Sequence, residues 1–418
     1  MRWSFIQRTI PNISQYFVPL EECIREKLIP AILGRNVSDL ERRMISLPVR
    51  MGGLGIQNPI LTADNEFRNS SIVTTSLTRL IENQETDLTN YDLSKVKSDI
   101  AKLKVEKEQA LREQLDEIKD LVDDKMKRTL DLSNEKGAGL WLTALPLQSA
   151  GYILNKQEFR DGIYLRYGWD IPNTPFHCVC GAKNSVDHTL ICKQGGYIGL
   201  RHNKIRDLEA YLLKGTNCKD IKIEPELLPL GNSGTSSANN AEKARLDVSA
   251  VGIWSPLERT FLDVRVTHPN APSHMGVAPQ QLYIQQENEK KNMYNDRILQ
   301  VEKGSFSPLI FSTFGGMGPE ATKYHKKVAE LISEKSGELY SDVVNFIRTK
   351  IRFALLKSVL IAVRGDRGRK KRAMDVPVAD LSLNLIPEQS TYEVKLGWTH
   401  VGGMDFLTGA NQRERGNG

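Results

Sequence analysis

Long apolar runs are missing from this chain. Across 418 residues no stretch approaches the ~20 apolar residues of a membrane-spanning helix. The first residues, M-R-W-S-F-I-Q-R-T, hold two arginines but none of the apolar segment of a secretory leader. Cysteine is scarce: five residues in an unpaired pattern argue against a disulfide framework and suit a reducing compartment. Neither sign of charge dominates. A net charge of +6 from 57 basic and 51 acidic residues is compatible with a polyanionic partner without requiring one. What is present suffices for folding: 40% hydrophobic and 26% charged residues over this length support two or three packed domains.

The few cysteines are concentrated. Residues 176–193 read F-H-C-V-C-G-A-K-N-S-V-D-H-T-L-I-C-K. Cys178, Cys180, His188 and Cys192 form a Cys-Cys-His-Cys set of soft thiolates and one imidazole, the donor chemistry of a closed structural zinc site. The opening C-x-C is tighter than the usual C-x2-C, and His177 is an adjacent alternative imidazole. The ordinary alternative is a set of small buried thiols. Cys23 and Cys218 stand alone and read as reduced thiols.

The pattern divides the chain. Residues 1–82 are helical in period, with breaks at Ile10-Pro11 and Val18-Pro19, a helix over 20–33, a glycine turn in M-G-G-L-G (51–55), and a helix over 61–81. Residues 93–132 lack proline and glycine and are rich in Lys, Glu, Asp and Leu, which predicts one long charged helix serving as spacer or nucleic-acid-facing rod. An aromatic-rich stretch (139–172) leads to the cysteine cluster. Beyond it the expectation is α/β: a helix over 201–213, strands over 221–223, 246–254 and 260–266, a helix over 279–301, a strand over 308–314, and helices from 319 and over 338–363. That order is α-β-β-β-α-β-α. Residues 231–240, G-N-S-G-T-S-S-A-N-N, read as a flexible loop. The G-G-M-G of 315–318 precedes a helix but lacks the lysine and spacing of a phosphate-cradling loop, and reads as a turn. The basic run R-G-D-R-G-R-K-K-R (364–372) is a nuclear-import signal, a phosphate-binding tail or a solvated disordered tail.

Two acids interrupt the apolar strands: Asp247 in R-L-D-V-S-A-V and Asp263 in F-L-D-V-R-V. A carboxylate in such a place must be paired, hydrogen-bonded or metal-bound. On adjacent antiparallel strands the two can converge on one Mg²⁺, which takes few protein carboxylates and keeps its waters. On the following helix, Glu287, Lys290 (or Lys291) and Tyr294 share a face, and a lysine there would orient water for phosphodiester hydrolysis. The competing reading pairs the aspartates with Arg245 or Arg265 as plain structural ion pairs.

Residues 178–364 resemble the C-terminal part of non-LTR retrotransposons that carry a restriction-like endonuclease. The strings F-L-D-V-R-V-T-H-P-N-A (261–271) and G-S-F-S-P-L-I-F-S-T-F-G-G-M-G (304–318) carry the likeness. The resemblance implies a CCHC zinc knuckle at 173–197 and a nuclease of the PD-(D/E)xK class at 198–365. It also implies Asp247 and Asp263 as the metal-holding acids, Lys290 and Tyr294 as the displaced lysine and its tyrosine, and Arg201, His202 and Asn203 as a nucleic-acid-binding helix start. Leu246 stands where the motif has proline, and Arg265 where a D-x-K lysine would fall. R-T-I-P-N-I (8–13), 19–34 and S-L-P-V-R-M-G-G-L-G-I-Q-N-P (46–59) resemble the thumb and connection of a reverse transcriptase. No Y-x-D-D carboxylates accompany them, since Tyr91-Asp92 is followed by Leu93. The expectation is therefore an α+β multidomain chain: a thumb-like helical segment (1–82), a charged helical linker (93–172), the knuckle, the nuclease and a basic tail (366–418). Its expected function is nuclear, zinc- and Mg²⁺-dependent nicking of DNA for target-primed reverse transcription, with DNA, element RNA and the element's polymerase portion as partners. The alternative is a non-catalytic nucleic-acid-binding protein with a decayed nuclease fold.

Overall fold

The computed structural model describes residues 2–84, 92–230, 243–365 and 367. The glycine-serine loop at 231–240 and almost all of the basic tail, 366–418, lie outside them. The N-terminal helices are α1 (Arg2–Thr9), α2 (Val18–Cys23), α3 (Ile29–Leu33), α4 (Asp39–Ser46), α5 (Pro59–Glu82), α6 (Leu93–Asp120), α7 (Asp124–Asn134), α8 (Leu140–Thr143) and α9 (Lys156–Tyr167). They continue with α10 (Val186–Ile191) and α11 (Tyr197–Lys214). A four-stranded sheet and three helices follow: β1 (Lys219–Ile223), β2 (Val248–Val251), β3 (Arg259–Thr267), α12 (Pro279–Arg297), β4 (Ser305–Ser312), α13 (Pro319–Ser336) and α14 (Tyr340–Arg364). The fold is mixed α+β. No helix among the described residues is long and apolar enough to cross a membrane.

Local chemistry accounts for most boundaries. Ser38 and Glu41 form a capping box at the start of α4, and Asn155 and Glu158 do the same for α9. The turn at 51–55 needs glycine. Gly52 has φ 89°, and a Cβ on Gly53 would lie 1.8 Å from the Leu47 carbonyl oxygen. The single helix expected over 93–132 is two helices. Asp123 sits between α6 and α7 in extended conformation and its side chain accepts from the Met126 N–H at 2.7 Å, which starts a new helix. Val122 meanwhile packs against the buried core. The helix expected over 279–301 ends at Arg297 and closes in a π turn, Ile298–Glu302.

The sheet runs β1-β2-β3-β4. The first two pairings are antiparallel, and β3 and β4 pair parallel through the α12 crossover. Two main cores form. One gathers Leu33, Ile45, Leu47, Ile118, Leu130, Trp141, Ile163 and Tyr167. The other gathers the sheet with α11 and α13, through Leu208, Val248, Leu262, Leu309, Phe311 and Tyr324. Helix α14 serves both: Ile347, Ile351 and Leu355 enter the sheet core, while Phe353, Leu356, Val359 and Val363 enter the helical one. Arginines brace α14 against the helical segment, Arg352 from a buried position and Arg364 from an exposed one against the buried Asp161. Arg352 donates to the Ala138 carbonyl at 2.8 Å, and Arg364 grips Asp161 through two bonds of 2.7 and 2.8 Å. Toward the N-terminus burial is thin, and Phe5, Tyr16, Leu61 and Ile81 are each about two-thirds exposed or more (70%, 73%, 71% and 68%).

Candidate functional site

The cysteine cluster is built by a short hairpin and one short helix. The Cys178 N–H bonds the Ala182 carbonyl, the Asn184 N–H bonds Phe176, and Gly181 turns the chain at φ 89°. Val179 thus bulges outward while Cys178 and Cys180 turn toward one point. Ser185 then caps α10, accepting from the His188 N–H at 3.1 Å, so His188 comes from the helix and Cys192 from its end. One donor atom from each of Cys178, Cys180, His188 and Cys192 lies within 4.8 Å of all the others. Cys178 Sγ to Cys192 Sγ is 3.7 Å, and Cys180 Sγ to His188 Nε2 is 3.3 Å. A tetrahedron with Zn–S bonds of 2.3 Å has S···S edges of about 3.8 Å, so the cluster could hold a metal ion and is consistent with zinc. His177, the alternative imidazole, is exposed and pairs by backbone with Lys183, outside the set. Burial opposes ionisation of Cys178, but the Cys180 N–H and the His188 ring pull it down to about 6, which favours the thiolate a metal needs.

The knuckle is docked through its neighbours. Arg201, at the start of α11, is buried and donates to the Leu190 carbonyl at 3.2 Å. Burial lowers its guanidinium to about 10. That position joins α11 to α10 and removes Arg201 from any surface a nucleic acid could touch. Asp187, next to His188, bonds His268 Nε2 at 3.0 Å and pairs with Lys125 at 2.5 Å, while His268 Nδ1 meets Thr313 Oγ1 at 2.8 Å. A polar chain therefore runs from the knuckle to the ends of β3 and β4.

The second constellation lies across the sheet. Asp247 falls one residue before β2 rather than inside it, and its Oδ2 accepts from the Val264 N–H at 2.6 Å and meets His202 Nε2 at 3.2 Å. Asn203, exposed, holds the other His202 nitrogen at 3.2 Å. Asp263, in the middle of β3, is buried and pairs with Lys290 Nζ at 2.7 Å. Of the two candidate lysines it is Lys290 that reaches the carboxylate, because Lys291 turns to Glu320 at 2.5 Å. Tyr294 is buried next to Phe306, and the Lys290 ammonium stands 5.8 Å from its ring centroid. The competing arginine pairings do not form: Arg245 pairs with Glu226 and Arg265 with Glu289.

Electrostatics follow from this geometry. Burial raises the Asp263 carboxyl, Lys290 opposes the rise, and the Asp247 charge adds to it. The bond to Asp247 raises His202, which favours its cationic form. Three groups escaped the sequence reading. His268 sits in the quoted string F-L-D-V-R-V-T-H-P-N-A without a role there. Glu287, named only for its helix face, accepts the Glu320 N–H at 2.9 Å, and burial lifts it to about 7. A Cβ on Gly318 would stand 2.1 Å from its Oε1, so Glu287 caps α13 where the chain's own N-cap is glycine. Glu135, lifted by burial to about 7 and bonded to Tyr283 and Gln280, lies in N-E-K-G, which carries no local signal.

No protein-family model matches the chain, and no curated protein matches it.

Proposed function

We propose that this chain is a metal-dependent DNA endonuclease of the retroelement type, with zinc in the Cys178, Cys180, His188 and Cys192 site. The observation that carries the reading is the convergence of Asp263 and Lys290 at 2.7 Å beside Asp247, an acid–acid–lysine set drawn from β3, α12 and the lead into β2. Asp247 and Asp263 supply the hard oxygen donors that Mg²⁺ prefers, and the ion when bound supplies Lewis-acid activation of water and of the phosphate. Lys290 orients the attacking water and balances the phosphodiester charge, and Tyr294 packs beneath its ammonium. His202 holds Asp247 in place through one oxygen, leaving the other for the cation. Because burial raises Asp263, deprotonation precedes metal loading, so nicking rises with pH. DNA is held through phosphate contacts, in salt-dependent fashion, with His202 and Asn203, beside Asp247, as polar contacts for the strand. The nick would prime reverse transcription by a polymerase portion acting with this chain, in the nucleus, with residues 364–372 as import signal.

Supercoiled plasmid incubated with Mg²⁺ tests this: wild type converts it to the nicked form, and Asp263→Ala abolishes the conversion. Equal nicking by both removes Asp263 from the chemistry. A second reading, a nucleic-acid binder without hydrolysis, is favoured by one observation: Lys290 stands 2.7 Å from Asp263 and His202 3.2 Å from Asp247, so each carboxylate already has a basic partner without a cation. Salt-sensitive DNA binding with no nicking by wild type selects it.

A further inference from the structure

At the C-terminal end of β4 the turn of Gly315 and Gly316 floors a surface cavity of about 190 Å³. Its walls come from four other elements. Glu135 and Lys136 follow α7, Gln280 begins α12, His325 and Lys326 lie on α13, and Arg348 lies on α14. Lys136, Lys326 and Arg348 make no ion pair or hydrogen bond among the described residues. Three unpaired cations from three segments thus line one concavity, where an anion would be attracted by all three.

The inner wall points the same way. His325 is 6% exposed; Glu209 holds its Nε2 at 3.0 Å, and its Nδ1 is buried without a partner. The single carboxyl in the lining, Glu135, is pushed by burial up to about 7. Near neutral pH part of its population is uncharged and opposes an anion less. The glycine floor is required by this packing, since a Cβ on Gly316 would stand 1.8 Å from Glu135 Oε2. The turn's own N–H groups are spent internally: Gly315 bonds the Ser312 carbonyl and Gly316 bonds Ser312 Oγ. The turn expected from G-G-M-G is therefore what forms, and an anion here is gripped by side chains rather than by a backbone cradle.

We propose that this cavity is a phosphate-binding site, in which Lys136, Lys326 and Arg348 hold the phosphate oxygens over the Gly315–Gly316 floor. A phosphate ester carries roughly −1.5 to −2 charge near neutrality, which matches three cations better than a carboxylate does. Two lysines acting as point charges beside one planar guanidinium fork suit its several oxygens. The site is separate from the Asp247, Asp263 and Lys290 set and does not depend on the nuclease reading. The phosphate comes either from a nucleic-acid strand or from a small phosphorylated molecule.

Thermal unfolding of the full chain, titrated with inorganic phosphate against chloride at matched ionic strength, tests the proposal. Wild type and Asp263→Ala show the same saturable rise in unfolding temperature, and Lys326→Gln/Arg348→Gln weakens half-saturation by about tenfold or more. Should the double variant fail to fold, Lys136→Gln, at an exposed position, gives the same weakening in smaller measure. No rise beyond chloride in wild type, or equal half-saturation in wild type and variants, overturns the site. Adding a short 5′-phosphorylated oligonucleotide then separates the sources. Competition with phosphate assigns the site to a nucleic-acid strand, and its absence assigns it to a small phosphorylated molecule.

Discussion

The knuckle and the carboxylate–lysine site are made in opposite ways. The knuckle draws all four donors from fifteen consecutive residues, 178–192, through one hairpin and one short helix. The carboxylate site draws His202, Asp247, Asp263 and Lys290 from α11, the edge of β2, β3 and α12. Local chain geometry makes the first, and its ligand spacing needs little from the rest of the protein. The second exists only when β2 and β3 are in register, with Val248 opposite Leu262, and α12 crosses over them. A local site depends on its own short segment, whereas a distributed one fails by losing a single contact.

The largest expected effect separates them by stability. Chelation of zinc, or Cys192→Ser, should release α10 and lower the unfolding temperature by several degrees, since structural zinc contributes folding energy directly. In hydrogen exchange, the Cys178 and Asn184 amides should lose protection while Val264, bonded to Asp247, keeps it. Loss of both together would show that the two sites are one cooperative unit, linked through Asp187 and His268.

A smaller effect concerns pH. Glu135 and Glu287 both titrate near 7 in the folded protein, above the ordinary carboxyl value of about 4.3. The folded state thus holds protons that the unfolded chain has released. Their contribution is fully present below about pH 4 and is lost as pH rises through 7. Urea unfolding between pH 5 and 8 should show stability falling with pH, by at most about 3 kcal/mol for Glu135, and a shallower fall in Glu135→Gln. An unchanged slope in that variant would mean the carboxyl is not held protonated. The smallest effect is expected at His177. Replacing it with Ala should leave metal content unchanged, whereas His188→Ala should lower it; the reverse result would exchange the two imidazoles.

The same contrast explains what could be read from the sequence. The cluster of Cys178, Cys180, His188 and Cys192 was legible because cysteine is rare and its spacing is local, and only the structure brings His188 rather than His177 into it. The strands and α12 were legible from apolar alternation and helical period, and Asp247 and Asp263 stood out as acids within apolar runs. The break at Asp123 was hidden because a capping aspartate in a charged helix resembles any other surface acid. Burial was also hidden. Arg201 reads as a surface cation in R-H-N-K, yet it is 3% exposed against Leu190. Glu135 owes its environment to Tyr283, 148 residues away, and no local pattern encodes that.

The most direct measurement is the rate of plasmid nicking in Mg²⁺ by the zinc-loaded chain and by Lys290→Gln. A side chain that orients the attacking water contributes roughly 10²- to 10⁴-fold. The account predicts nicking that requires Mg²⁺, falls at least a hundredfold in Lys290→Gln, and survives in Lys291→Gln. Equal rates in wild type and Lys290→Gln, or nicking indifferent to Mg²⁺, would contradict it.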